Sequence, residues 1–290
     1  MKKFFILIPV YNDWKSVFKL LEEIDLIIGS WDDEVSVLII NDASTENRLI
    51  DKIKLKNIKT VRVINMKKNK GHARCNAAGL KFLVEKENFD HVILMDGDGE
   101  DRPDELTLLY NKSKENPLIV VTANRIKRSE GFFFKFLYES HKILTYIFTG
   151  KLIKFGNYSC LPRNEAANLV KEACIWSSFS GSVIKIIPNR TFIHSIRGKR
   201  YFGPSKMNLF HLLIHSLSIM AVFKLSVVVR SILFLIFYLF LVSSSFSFIT
   251  LFPAFIILIF VFFIFKISSR ENISELNNSL DNIDKIDTLS

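Results

Sequence analysis

The sequence predicts an α/β fold on a mainly parallel sheet, followed by a membrane-spanning helical hairpin. Three observations carry that expectation. Short apolar runs of strand length alternate with stretches of helical periodicity through the first half of the chain. Several of these runs stop abruptly in polar residues, at Tyr11, Asp42 and Asp96, and open α/β sheets bind ligands beyond such strand ends. Between Ser231 and Phe265 there is no charged residue at all.

Taken in order, residues 4–10 read as a buried strand ended by Pro9 and Tyr11, with Asn12 or Asp13 placed to cap the next helix. That helix sets Val17, Leu20, Leu21, Ile24, Ile27 and Ile28 on one face. Residues 35–40 form a second strand running into Asn41-Asp42-Ala43-Ser44-Thr45, and residues 60–65 a third. A polar turn at 67–72 leads into a helix over 73–84. The fourth strand starts at His91, a helix runs from about Pro103 to Lys114, and a fifth strand covers 118–123. Beyond it the pattern loosens into a basic loop (124–128), an aromatic-rich helix (131–148), a strand (155–161), a helix (164–173), an apolar stretch with small residues (176–187) and a strand (191–196). A basic, flexible loop over 197–206 precedes a helix of mixed character at 208–223, where the four-residue spacing of His211 and His215 suits packing or headgroup contact better than a metal.

The chemistry concentrates after the fourth strand, where Asp96, Asp98, Glu100 and Asp101 surround Gly97 and Gly99. Carboxylates this close repel one another unless a cation sits among them, and hard oxygen ligands suit Mg²⁺ or Mn²⁺. The plain alternative is a solvated acidic turn. No Gly-x-Gly-x-x-Gly and no Gly-Lys-Ser/Thr loop follows the first strand, so neither a dinucleotide fold nor a phosphate-loop NTPase is supported.

The uncharged stretch exceeds the roughly 20 apolar residues one span needs. It fits two helices, 231–248 and 251–267, with the serine-rich segment and Pro253 near the turn; one long tilted helix is the alternative. Lys224 and Arg230 precede the run and Lys266 and Arg270 follow it, so both flanks are expected in the cytoplasm. Met1-Lys2-Lys3 leads into too short an apolar run for a secretory signal. The expected organisation is a catalytic domain over 1–205, an amphipathic juxtamembrane segment over 206–230, a hairpin over 231–267 and a polar tail over 268–290, with both termini cytoplasmic. The tail carries Ile273, Leu276, Leu280 and Ile283 at helical spacing, but its length and composition favour disorder over a short self-association helix, which would make a homo-oligomer. Three unevenly spaced cysteines imply free thiols. A net charge of +10 spread over scattered positions, with no nucleic-acid motif, points to anionic lipid headgroups or phosphorylated substrates.

Several segments resemble family 2 glycosyltransferases. Ile8-Pro9-Val10-Tyr11-Asn12 resembles their opening Pro-Val-Tyr-Asn run, and Ile39-Ile40-Asn41-Asp42-Ala43-Ser44 their Val-Asp-Asp-Gly-Ser segment. Asn69 to Gly79 matches an Asn-x-Gly-x-x-x-Ala-x-Asn-x-Gly pattern, and Met95-Asp96-Gly97-Asp98 the metal motif. Arg200 with Gly203-x-Ser205-Lys206 resembles the membrane-proximal segment of the polyprenyl-phosphate branch, which includes dolichol-phosphate mannose synthases. The resemblance implies a GT-A (Rossmann-like) fold and a UDP- or GDP-linked sugar as donor. It places Pro9, Tyr11 and Asn12 beside the nucleotide, Asp42 on the base, and Lys70 and Gly71 beside the donor. Asp96 and Asp98 would hold the divalent ion on the diphosphate. Asp13, Asn41 and Ala43 depart from the pattern, and Glu100 stands where close relatives carry Gln, which leaves it as a metal partner, an acceptor contact or a solvated side chain. The chain contains no Gln, so the Gln-x-x-Arg-Trp motif of processive synthases is absent.

The implied activity is inverting transfer of a sugar to polyprenyl phosphate, an acceptor already ionised at neutral pH. It needs positioning, for which Arg125, Arg128, Arg200, Ser205 and Lys206 are the candidates, since guanidinium groups match phosphate oxygens. A hydroxyl acceptor such as a lipid-linked glycan would instead need a carboxylate base, Glu100 or Asp101. A catalytically silent membrane scaffold is the third reading, and the intact Asp96-x-Asp98 argues against it.

Overall fold

The computed structural model describes residues 1–48, 52–127, 132–203 and 209–290, the side chains of 127, 132–138, 209 and 211 excepted. The first half runs β1 (Lys3–Val10), α1 (Trp14–Ile28), β2 (Glu34–Asn41), β3 (Thr60–Met66), α2 (His72–Lys86), β4 (His91–Leu94), α3 (Leu106–Glu115) and β5 (Val120–Lys127). Then come α4 (Phe132–Thr149), β6 (Ser159–Pro162), α5 (Arg163–Leu169), α6 (Phe179–Ile186), β7 (Arg190–Ile196), α7 (Leu209–Ala221), α8 (Lys224–Leu241), α9 (Phe248–Ser268), α10 (Ile273–Asn277) and β8 (Ile283–Thr288).

The strands form one mixed, mainly parallel sheet in the order β7-β5-β6-β4-β1-β2-β3-β8. Neighbours β3, β2, β1 and β4 are parallel, as are β5 and β7, while β6 opposes both β4 and β5 and β8 opposes β3. This is the GT-A architecture. Period-two alternation splits β1 between two cores. Phe4, Ile6, Ile8 and Val10 face α1 and α3, whereas Phe5 and Leu7 face α2, α5 and α6. Helix α2 lies so close to β1 that a Cβ on Gly79 would meet Leu7 Cδ1 at 2.5 Å. Because β1, β2 and β4 run in the same direction, the segments after Val10, Asn41 and Leu94 emerge on one rim of the sheet, as their polar ends suggest.

Three expectations need correction. Residues 124–127 are not loop: β5 continues through them because Arg125 pairs with Ser195 of β7. The turn between the long apolar helices lies at 242–247, where Ser247 and Thr250 form a capping box, and Pro253 sits inside α9. The polar tail is ordered. Leu276 of α10 is fully buried in the core beneath α2, with Leu280 and Ile283 packed beside it. Then β8 pairs antiparallel with β3, Ile286 opposite Ile64. Its alternating, charged sequence is that of an edge strand, which needs little apolar density.

Helix α8 has 18 residues and α9 has 21, with mean hydropathy of 2.1 in α8 and 3.0 in the second apolar segment. At about 1.5 Å per residue both approach the ~30 Å of a bilayer's hydrocarbon core. The core helix of a soluble protein would be covered, but Leu233 (62%), Phe240 (75%), Phe248 (85%) and Ile249 (81%) are exposed. Helices α4 and α7 pack against this pair around Met220, Val227 and Ile264, and leave Ile143, Tyr146, Ile147, Phe210 and Leu213 exposed. Since β8 belongs to the same sheet as β1–β4, the chain enters α8 and leaves α9 on the same side of any membrane the pair crosses.

Candidate active site

The loop after β4 turns at Gly99, which adopts a positive φ of 87° and lies against the ring of Tyr201, where a Cβ would come within 2.6 Å. Glycine alone satisfies both demands. Within this loop each carboxylate has its own counter-charge. Asp96 Oδ1 lies 2.9 Å from His72 Nε2 and accepts from Asn157 Nδ2 at 3.3 Å. Burial favours its neutral form, but the charge and hydrogen bond of His72, with Arg125 and Asn157, outweigh that and hold the carboxyl well below the usual range. Asp98 accepts from the Glu100 amide at 3.0 Å and from Arg200 Nη1 at 2.6 Å, while Arg200 also pairs with Asp13. Burial beside the charges of Asp96 and Glu100 pushes the Asp98 carboxyl up to about 6. Asp101, 3% exposed, accepts from the Asp96 amide at 3.0 Å and pairs with Arg125 at 3.3 Å. Burial and Asp96 push its carboxyl up to about 7.

The basic segment after β7 closes over this loop. Arg197 pairs with Glu100, the Gly198 amide donates to the Glu100 carbonyl, and the Tyr201 amide donates to the Asp98 carbonyl. The Tyr201 hydroxyl reaches back to Glu23 of α1, with Lys19 over its ring.

A second group of residues shapes the neighbouring strand ends. Asn12 (φ 52°) and Ala43 (φ 56°) both take left-handed backbone. Asn12 Oδ1 accepts from the amides of Thr45 and Glu46, and its own amide donates to Ser44 Oγ, so local hydrogen bonds offset the strain. Glycine would adopt the Ala43 conformation freely, which explains the glycine in the pattern this segment resembles. Asp42, 4% exposed, accepts from the Lys70 and Gly71 amides at 2.8 Å each. Both carboxylate oxygens thus fasten the turn that opens α2. Tyr11 is 43% exposed at the rim.

The fold therefore brings together Pro9, Tyr11, Asn12, Asp42, Lys70 and Gly71 along one part of the rim, and Asp96, Asp98, Glu100, Asp101, Arg125 and Arg200 along the next. Arg128, Ser205 and Lys206 lie outside the described residues. Glu100 and Asp101 are bound within the loop's own frame by Arg197, Arg125 and the Asp96 amide. Sequence reading missed His72 and Asn157. His72 had a signal, since it follows Gly71 at the start of α2, but Asn157 lies in a loop with no motif.

The family described as Glycosyl transferase family 2 matches residues 5–171, more than half of the 290-residue chain. Among solved structures, the chain resembles glucosyl-3-phosphoglycerate synthase from Mycobacterium tuberculosis, determined with Mn²⁺, UDP-glucose and phosphoglyceric acid. The TM-score is 0.54 at 12% identity, over 78% of this chain and 80% of that one. Mannosyl-3-phosphoglycerate synthase from Rubrobacter xylanophilus gives a TM-score of 0.54 at 13% identity, over 76% and 72%. At these identities the likeness is one of fold. Fold, rim and sequence match agree, and the chain belongs to glycosyl transferase family 2, a glycosyltransferase on a GT-A sheet.

Proposed function

We propose that this enzyme is anchored in the membrane and moves a sugar, with inversion, from a nucleotide sugar to a polyprenyl phosphate. The observation that carries this reading is the position of the acidic loop relative to the apolar helices. Asn157, which donates to Asp96 at 3.3 Å, lies in the connection that follows α4, and the end of α4 is tied to α8 by Arg230 Nη1, which donates to the Ile147 carbonyl at 3.2 Å. Helices α4 and α7 are joined there by His141 Nδ1 and Ser216 Oγ at 2.7 Å. A phosphate at the end of a lipid tail would meet the site from this direction.

Asp96 and Asp98 fit a divalent cation. Their donors are hard oxygens, and the like-charge crowding that lifts the Asp98 carboxyl is relieved by a cation. Among the described residues no set of three or more His, Cys, Asp or Glu forms a metal site by itself. Two carboxylates completed by diphosphate oxygens and water is the habit of Mg²⁺, and the mycobacterial fold relative was solved with Mn²⁺ and UDP-glucose. The cation would supply Lewis-acid neutralisation of the leaving diphosphate. The chain's own residues do the rest. Asp42 holds the Lys70–Gly71 turn, and Tyr11 and Asn12 border the nucleotide. Arg200, whose buried Nε has no hydrogen-bond partner among the described residues, has capacity for a phosphate oxygen beside Asp98. Arg125 stands one layer behind, on Asp101. An ionised acceptor phosphate needs no base, which suits a site whose Glu100 and Asp101 are already committed.

The same-side entry and exit of α8 and α9, with Lys224 and Arg230 in the first two turns of α8, Lys266 in the last turn of α9 and Arg270 just beyond it, supports a hairpin with the catalytic domain in the cytoplasm. The test is incubation of membranes carrying the enzyme with labelled UDP- and GDP-sugars, Mg²⁺ or Mn²⁺, and undecaprenyl phosphate. An acid-labile lipid-linked sugar is expected. Transfer only to a pre-glycosylated lipid would overturn the acceptor assignment.

A further inference from the structure

Residues from beyond the membrane hairpin reach the nucleotide side of the rim. Asp287 of β8 accepts from Asn65 Nδ2 at 3.0 Å and from Arg48 Nη1 at 3.2 Å. Asn65 Oδ1 in turn accepts from Asn41 Nδ2 at 2.9 Å, and Asn41 Oδ1 accepts from the Ser44 amide at 3.0 Å. Ser44 Oγ accepts from the Asn12 amide at 2.9 Å. An unbroken chain of hydrogen bonds thus runs from the tail to the segment that borders the nucleotide, and Arg48 ties the far end of that segment to the same carboxylate. The second nucleotide-side loop is fastened as well. The Lys67 amide donates to the Asn282 carbonyl at 2.7 Å, and Asn282 Nδ2 donates to the Lys68 carbonyl at 3.1 Å. A cavity of about 450 Å³ lies between that loop and the tail, with Asp42, Lys70 and Arg74 on one wall and Glu275, Asn278 and Asn282 on the other.

We propose that the segment after the hairpin is part of the nucleotide-sugar site, and that Asp287 is a positioning residue that fixes the 41–48 loop through Asn65 and Asn41. The inference rests on the reading of this rim as the nucleotide-sugar site. A sheet needs no carboxylate at an edge position merely to pair, and Asp284 on the same strand, exposed and without such a chain, shows what a purely structural position looks like. Asp287 instead supplies the acceptor oxygen on which the side chains of Asn65 and Arg48 align.

The experiment is titration of the purified full-length protein in detergent with UDP and with GDP, each with Mn²⁺, alongside thermal melting. For whichever nucleotide the wild type binds, Asp287→Ala is expected to weaken binding about tenfold, in keeping with loss of a hydrogen bond to a charged group. Asn65→Ala should do the same, and the double variant should be no worse than either, because both cut one chain. Asp287→Asn keeps an acceptor oxygen for Asn65 and should restore binding to within about threefold of wild type, while Asp284→Ala should match wild type. Folded Asp287→Ala that binds as tightly as wild type would overturn the inference alone. So would a loss that Asp287→Asn does not rescue, or one that additively combines with Asn65→Ala. A wild type that binds neither nucleotide would overturn the reading of the rim, and the inference with it.

Discussion

Asp98 accepts from the Glu100 amide and pairs with Arg200, two contacts that present its carboxylate beside Asp96. Asp98→Asn keeps the shape and the acceptor for that amide but removes the charge. We predict a fall of roughly 100-fold or more in divalent-dependent transfer, with unchanged melting temperature and membrane fraction. Near-normal transfer would remove Asp98 from the cation site. The acidic residues were visible in the sequence as carboxylates spaced by glycines after a strand, a pattern a solvated turn also gives, and it was their place among the other strand ends and the matching family motifs that singled them out. Their partners were not. Arg197 and Arg200 could be seen as a basic run, but the pairing of one with Glu100 and the other with Asp98 and Asp13 depends on how Tyr201 folds that run onto Gly99. Asp42 was expected on the base, and the structure shows its oxygens holding the Lys70 and Gly71 amides, a task no local pattern announces.

At the scale of elements, β1 to β4 and the helices between them were readable because their signals are local: a strand's apolar run and a helix's 3.6-residue period are complete within a few turns of chain. The end of β5 and the whole of β8 were not, because each is decided by a partner distant in sequence, β7 in one case and β3 in the other. The four apolar residues of the tail were visible, but nothing in their spacing names the core they enter. Leu276 is the centre of that contact, fully buried against residues beneath α2. Leu276→Ala should cost about 2–5 kcal/mol of tail docking. The expected result is faster tryptic cleavage at the exposed Arg270 in detergent, with the N-terminal sheet still protected; a cleavage rate equal to wild type would show that the tail is held elsewhere.

On the scale of the whole molecule, the sheet constrains the membrane. Its first strands and its last edge strand lie on opposite sides of α8 and α9 in sequence but on the same side in space. The two helices must therefore cross together or not at all, which decides against the single long tilted helix allowed by composition. A cysteine introduced by Ser244→Cys, in the connection between them, should react with a membrane-impermeant maleimide from the outside of intact cells, while tags at either end of the chain stay protected. Labelling of all three positions from one side would place α8 and α9 along the surface instead. The same strand also imposes an order on biosynthesis. Translation runs in sequence order, so β8 is made only after both apolar helices, and until then β3 presents an open edge of the kind that invites mispairing. The sheet can therefore be completed only after both apolar helices have been synthesised.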